Sequence, residues 1–142
     1  MPGASRSIVI SAPAEKVFDV ISGYEKYPEF MSEVKEVKVS NRKSNQVDVH
    51  YKVDLVKTIK YSLRMIEERP SKITWTFIEG EFMKDNKGSW TLEPAGDGQT
   101  KATYNIEIAL GPLVPKTIVN AMVETSLPKM LDSIKKRVES GK

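Results

Sequence analysis

Apolar and polar residues alternate along the middle of the chain. In the segment 47–55 every odd position is apolar, and every even position is Asp, His or Lys. The same period of two continues through 59–65, 73–77, 90–92 and 102–108. Alternation of this kind is typical of antiparallel strands that bury one face of a sheet and leave the other in water. With shorter candidates at 7–11 and 34–40, the pattern predicts seven strands.

The alternation also predicts which side chains point inward. We expect the odd-numbered residues of 47–55 and 59–65 to face the interior, because a shift by one residue would bury Asp48, His50 and Lys52 together. His50 is therefore expected to be exposed to solvent. The basic residues of this wet face are mixed with acidic ones, which is typical of a solvated surface; contact with RNA or an anionic lipid is the alternative.

Turn-forming residues separate the predicted strands. They stand at 69–71 (Arg-Pro-Ser), 85–88 (Asp-Asn-Lys-Gly) and 96–98 (Gly-Asp-Gly). Gly, Pro, Asn and Asp favour the backbone conformations that reverse a chain. We therefore expect a turn at each of the three places.

Helical patterns occur at the two ends of the chain. A helix is predicted to begin at 12–15, where Pro and Glu suit the first turn, and to end at Gly23; a second short one, interrupted by Pro28, follows over 24–31. The segment 115–139 separates apolar from charged residues with the helical period. It predicts a helix of about 37 Å, kinked at Pro128 in its middle.

A sheet that wraps around one long helix leaves room for a cavity between them. The inward side chains are largely aromatic, and buried Tyr and Trp need partners for their polar tips, so the pattern predicts an apolar ligand site. The alternative is that these side chains are ordinary core. The candidate lining residues are Phe30, Tyr51, Tyr61, Met65, Trp75, Phe77, Met83, Trp90, Tyr104, Val119, Asn120, Met122, Val123 and Leu127.

The first half of the predicted long helix is apolar nearly all round. This fits a gate through which an apolar ligand enters, or a transient contact with a membrane or a protein. Packing of this segment against the short helices near Phe30 is the third interpretation.

Composition removes several classes of function. The chain has 142 residues, which favours one domain over 1–142. It has no Cys and one His, so disulfides, thiolate metal sites and paired-His metal sites are excluded, and we expect neither a metal nor an organic cofactor. A net charge of +3 is too mild for a dedicated DNA-binding protein. The N-terminal residues lack the apolar stretch of a signal peptide, so a cytoplasmic location is expected.

Motifs of covalent catalysis are absent from the sequence. There is no Gly-x-Ser-x-Gly elbow and no phosphate-binding loop, and the sole imidazole, His50, falls on the polar face of its strand. We therefore assign no catalytic residue from the sequence.

Three segments resemble a known superfamily. Residues 7–21, Ser-Ile-Val-Ile-Ser-Ala-Pro-Ala-Glu-Lys-Val-Phe-Asp-Val-Ile, resemble the opening of the START-like superfamily, which joins polyketide cyclases, lipid-transfer domains and birch-pollen-allergen-like proteins. Residues 24–31 resemble the Tyr-Pro-x-Phe element of its coenzyme Q-binding and polyketide-cyclase branch. Residues 80–83 with 88–92 resemble that branch's Gly-x-Phe and Gly-x-Trp-x-Phe pattern. Ser32-Glu33 departs from the Pro-Trp that is usual in the quinone-binding proteins.

The resemblance implies an α+β helix-grip fold, in which a curved seven-stranded antiparallel sheet wraps around a long C-terminal helix and two short helices follow the first strand. It also implies that the protein binds, and thereby carries or shields, a hydrophobic small molecule such as a lipid, an isoprenoid quinone or a polyketide. Two alternatives remain open. One is a polyketide aromatase/cyclase, and the other is a protein-interaction role like that of the ribosome-associated toxin relatives.

Overall fold

Seven antiparallel strands form one sheet in the computed structural model, which describes residues 3–54, 58–111, 114–117 and 126–141. The strands of the described chain are β1 (Gly3–Ile10), β2 (Val34–Lys43), β3 (Gln46–Asp54), β4 (Thr58–Glu68), β5 (Lys72–Gly80), β6 (Met83–Pro94) and β7 (Thr100–Leu110). Their order across the sheet is β1-β7-β6-β5-β4-β3-β2. The predicted helix-grip architecture is confirmed.

The inward face of β3 and β4 follows the alternation of the sequence. Val47, Val49, Tyr51 and Val53 are all buried, and so are Ile59, Leu63 and Met65 on β4. The antiparallel register of the two strands places Tyr51 directly opposite Tyr61. The predicted orientation of these strands is therefore confirmed.

Two short helices follow β1, as predicted. Helix α1 (Ala14–Ser22) begins after Pro13 and buries Val17, Phe18 and Ile21. A 3-10 helix (Tyr24–Glu29) comes next and contains Pro28. Its aromatic side chains turn toward the sheet.

The C-terminal helix α2 (Leu127–Glu139) buries an apolar stripe consisting of Leu127, Leu131, Ile134 and Val138. It packs against β1 and α1. Pro128 lies in the first turn of this helix as described, where a missing N–H is tolerated. The kink predicted for a helix over 115–139 depends on residues 118–125, which lie outside the described residues, so it stays a prediction. No helix within the described ranges is long and apolar enough to cross a membrane.

One of the three predicted turns is wrong. Residues 85–88 belong to β6, and the reversal before them is at 81–82, where Phe82 has a φ of 62°. Gly88 is needed for close packing within the strand: a Cβ there would lie 2.2 Å from the carbonyl oxygen of Asn105 and 2.6 Å from the Trp75 ring. The turns at 69–71 and 96–98 are confirmed.

The outer face of β3 is less exposed than the sequence predicts. Asp48 is 3% exposed, because Arg64 donates to it from Nε at 2.9 Å and Asn41 donates from Nδ2 at 3.0 Å. These hydrogen bonds lower the pKa of the Asp48 carboxyl to about 2, and the bond from Arg64 contributes most to the shift.

His50 is half-buried, so the prediction that it is exposed is wrong. Its two ring nitrogens each lie 2.7 Å from a serine hydroxyl, Ser40 on one side and Ser62 on the other. The alternation correctly predicts that His50 lies on the outer face of β3. It does not show how far residues of the neighbouring strands cover this side chain.

Candidate functional site

A cavity of about 460 Å³ lies between the inward face of the sheet and α2. This volume falls in the range of about 300–1,000 Å³ that is usual for small-molecule sites. Its wall is formed mainly by aromatic and aliphatic side chains of β3 to β7, together with residues of the 3-10 helix and of α2. The arrangement is suited to enclosing an apolar molecule.

Most of the predicted site residues within the described chain line this cavity: Tyr51, Tyr61, Met65, Trp75, Met83, Trp90, Tyr104 and Leu127. Phe30 and Phe77 are not among its lining residues. Phe30 packs edge-on against Tyr27 and lies under the guanidinium of Arg137, and Phe77 is partly buried against the core. The remaining candidates, Val119, Asn120, Met122 and Val123, lie outside the described residues.

Several lining residues were missed by the sequence reasoning. Tyr27 and Met31 enter the cavity from the end of the 3-10 helix, and Asn86 enters from β6. The sequence predicts the short helix over 24–31, but it does not show which of its side chains face the sheet. Asn86 was missed because an Asn-Lys-Gly sequence favours a turn.

The aromatic side chains are held in two groups. The rings of Tyr51 and Tyr61 stack with centroids 5.0 Å apart, because the register of β3 and β4 makes them direct cross-strand neighbours. The ring of Tyr104 contacts both tryptophans, at 5.3 Å from Trp75 and 4.9 Å from Trp90. Both groups fix large apolar surfaces on the cavity wall.

The tyrosine hydroxyls differ in their partners. Tyr27 donates to the carbonyl oxygen of Ile21. In contrast, the hydroxyls of Tyr51, Tyr61 and Tyr104 make no hydrogen bond to any part of the chain that the structure describes. Within that part, every fully buried side-chain nitrogen or oxygen has a partner, so these three hydroxyls reach open space. The cavity, which all three residues line, is the space next to them.

Burial keeps these phenols protonated. Desolvation raises the pKa of Tyr61 to about 12. It also raises the pKa of Tyr51 and of Tyr104, and repulsion from neighbouring phenolates adds to both shifts. A neutral phenol is a hydrogen-bond donor, so the cavity presents uncharged donors at physiological pH.

The ionisable groups other than tyrosine in the described lining are Glu33, Glu81 and Lys129. Glu33 and Lys129 form an ion pair with Oε1 and Nζ 3.7 Å apart. Glu81 is exposed and accepts a hydrogen bond from the backbone N–H of Lys60. No group of three His, Asp or Glu in the described ranges is placed to hold a metal ion. The site is therefore apolar, with neutral donors inside and charges that already have partners.

The sequence model of the family described as "Polyketide cyclase / dehydrase and lipid transport" matches residues 1–139. No protein of curated function matches the sequence. Among solved structures, the Zhui aromatase/cyclase from a Streptomyces species is similar with a TM-score of 0.88 and 14% identity, over 97% of this chain and 93% of that one.

Two further structures show the same fold. A START superfamily protein from Mycobacterium smegmatis has a TM-score of 0.86 and 17% identity, over 99% of both chains. A STAR-related lipid transfer protein from Xanthomonas axonopodis has a TM-score of 0.78 and 15% identity, over 96% of this chain and 85% of that one. At these identities the similarity establishes the architecture alone.

Proposed function

Because the chain belongs to the polyketide cyclase/dehydrase and lipid transport family, we propose that it binds a hydrophobic small molecule between its sheet and α2. The observation that carries the proposal is the cavity of about 460 Å³ with its apolar and aromatic wall. Binding would bury the apolar surface of the ligand, and each Å² buried would contribute about 25 cal/mol to the free energy of binding. The cytoplasm remains the expected location.

The character of the wall indicates a ligand of variable shape. Met31, Met65, Met83 and Met130 all line the cavity. The methionine side chain is unbranched and polarizable, so it adapts to irregular apolar surfaces. Lipids, isoprenoid quinones and polyketides all fit this description. The quinone candidate rests on the resemblance of residues 24–31 to the coenzyme Q-binding branch.

An aromatase/cyclase activity is the second candidate. Such chemistry needs a general acid or base within reach of the substrate. The phenols of the described wall are protonated, so they can polarise a carbonyl oxygen but cannot act as bases at neutral pH. The two carboxylates of that wall, Glu33 and Glu81, already have hydrogen-bond or ion-pair partners. These features favour binding over proton abstraction.

The proposal is tested by filling the cavity. Ile106 is half-buried and lines it, so Ile106→Trp should occupy ligand space at a cost of about 1–3 kcal/mol in the free energy of unfolding. Ile66 is also a half-buried strand residue but does not line the cavity, so Ile66→Trp is the matched control.

The measurement is isothermal titration calorimetry with monoolein and a short-chain ubiquinone. The wild type and Ile66→Trp should bind at least one of these ligands, and Ile106→Trp should bind it at least about tenfold more weakly. Equal affinities in all three folded proteins would contradict the assignment of the cavity. Absence of binding by the wild type would favour the protein-interaction role instead.

A further inference from the structure

A buried amide stands in the otherwise apolar cavity wall. Asn86 is 4% exposed and lies on β6 two positions before Gly88 and four before Trp90, which places the three residues on one face of the strand. Its Oδ1 accepts a hydrogen bond from Nε1 of Trp75 at 3.0 Å. The amide is therefore held by the ring that forms part of the same wall.

The hydrogen bond with Trp75 determines which way the amide points. An indole N–H can only donate, so Asn86 must present its oxygen to Trp75. The two ends of an asparagine amide are otherwise hard to tell apart. Here the chemistry of the partner leaves Nδ2, with its two N–H donors, at the opposite end.

Nδ2 of Asn86 makes no hydrogen bond to the residues that the structure describes. Since every fully enclosed side-chain nitrogen or oxygen of those residues has a partner, Nδ2 must reach open space, and Asn86 lines the cavity. An amide donor in an apolar site is unfavourable unless an acceptor pairs with it. The ligand is the group that can supply that acceptor.

We propose that Asn86 is a specificity-determining donor that selects ligands carrying an uncharged acceptor oxygen, such as the carbonyl of a ketone, quinone or ester. This inference rests on the proposed function. A hydrocarbon of the same shape would leave Nδ2 unpaired. An ionised carboxylate would lose its hydration without a free cation, because Lys129, the cationic residue of the described wall, is already paired with Glu33.

Trp75 is the positioning residue for this donor. Its ring packs against Tyr104 at 5.3 Å and passes over Gly88, where a Cβ would lie 2.6 Å from it. Trp75→Phe would keep most of the ring but remove the N–H that fixes the amide. The amide could then turn either end to the ligand, so the preference for an acceptor should weaken.

The test compares two probes that share a ring system, menadione and 2-methylnaphthalene, with 2-naphthoate as the charged analogue. Calorimetry gives the affinity of each probe for the wild type, Asn86→Leu and Asn105→Leu. Asn105 is half-buried on β7 and does not line the cavity, so it is the matched control. The measured quantity is the ratio of the menadione affinity to the 2-methylnaphthalene affinity, which cancels differences in overall stability.

We expect Asn86→Leu to lower this ratio about tenfold, since one hydrogen bond of about 1.4 kcal/mol corresponds to that factor. Asn105→Leu should leave the ratio unchanged, Trp75→Phe should lower it in part, and 2-naphthoate should be the weakest probe for the wild type. An unchanged ratio in Asn86→Leu, with both probes still bound, overturns the role of Asn86 but leaves ligand binding intact. If the wild type binds neither probe, the role of Asn86 is overturned, whereas the proposed function is decided separately by the titrations with monoolein and the short-chain ubiquinone.

A measurement on the wild type covers the case in which Asn86→Leu does not fold. Menadione should shift the side-chain N–H₂ resonances of Asn86 in a ¹H–¹⁵N NMR spectrum, and 2-methylnaphthalene should shift them much less. Resonances that do not move when menadione is bound overturn the inference.

Discussion

The polar groups on the two faces of the sheet differ in whether they have hydrogen-bond partners within the described chain. On the outer face of β3, Asp48 is enclosed by donors from Arg64 and Asn41, and His50 lies between two serine hydroxyls. Every one of these groups pairs with another residue of the chain. The outer network is therefore closed.

On the inner face four polar groups remain open. The hydroxyls of Tyr51, Tyr61 and Tyr104 and the amide nitrogen of Asn86 have no partner in the described chain. All four residues line the cavity. A closed polar network stabilises the fold, whereas open donors in an apolar cavity raise its energy until a ligand accepts from them. The comparison separates groups that hold the structure together from groups that are available for binding.

The largest expected effect comes from disturbing the inner wall at Gly88. In Gly88→Ala the new Cβ would meet the carbonyl oxygen of Asn105 at 2.2 Å and the ring of Trp75 at 2.6 Å. The backbone atom cannot move aside cheaply, so we expect a loss of about 3 kcal/mol in the free energy of unfolding. Displacement of Trp75 should also release Asn86 and weaken ligand binding. Denaturation in urea and calorimetric titration measure the two effects.

Gly111→Ala is the control for Gly88→Ala. Among the described residues, a Cβ at Gly111 would have its nearest contact at 3.8 Å, with the carbonyl oxygen of Phe82. This substitution should change the free energy of unfolding by no more than about 1 kcal/mol. Equal effects of the two substitutions would contradict the close packing at Gly88.

The outer network should affect stability without affecting binding. Asp48→Asn keeps the size of the side chain but removes the charge that Arg64 and Asn41 stabilise. We expect a loss of about 1–2 kcal/mol in the free energy of unfolding, with ligand affinities unchanged. Asp97→Asn, in the exposed turn at 96–98, makes the same chemical change and should have almost no effect. Weakened ligand binding in Asp48→Asn would break the division between the two faces.

The pH dependence of stability provides an independent check on Asp48. Its pKa falls from the usual 3.8 to about 2 in the folded protein. The group therefore contributes its stability above the unfolded pKa, and this contribution is lost as the pH falls from about 4 through about 2. Denaturant titrations in this range should show the loss in the wild type and in Asp97→Asn. Asp48→Asn should lack that part of the pH dependence.

A pair of tyrosines gives the smallest and sharpest comparison. Tyr27→Phe removes a buried hydroxyl that donates to the carbonyl of Ile21, so it should cost about 1 kcal/mol. Tyr51→Phe removes a hydroxyl without a partner in the described chain and should change the free energy of unfolding by less than about 0.5 kcal/mol. Thermal or urea unfolding of the two variants measures the difference. A larger loss in Tyr51→Phe would mean that its hydroxyl is part of a closed network.

The sequence was sufficient to predict β3 and β4 because the signal of each strand is local. In β3 the period of two alone identifies Val47, Val49, Tyr51 and Val53 as buried. The same pattern could not reveal that Asp48 is buried, because its enclosure depends on Arg64 in the next strand and on Asn41 in the preceding one. Partners across strands are set by the register, which a single strand does not contain.

The aromatic part of the candidate site could be predicted because it too depends on the local alternation. The inward aromatic residues follow the alternation, and they line the cavity. Asn86 was assigned to a turn because Asn and Gly favour reversals. In the folded chain Gly88 instead permits close contact with Trp75 and with the backbone of Asn105. This role of glycine arises from tertiary packing and leaves no local signal in the sequence.

Native mass spectrometry of the protein, purified gently from its own host, tests most directly whether the open inner face holds a ligand. We predict that the wild type and Ile66→Trp carry one apolar molecule, which organic extraction removes, and that Ile106→Trp is bare. A bare wild type that takes up neither monoolein nor the short-chain ubiquinone when they are added would contradict the proposed binding function.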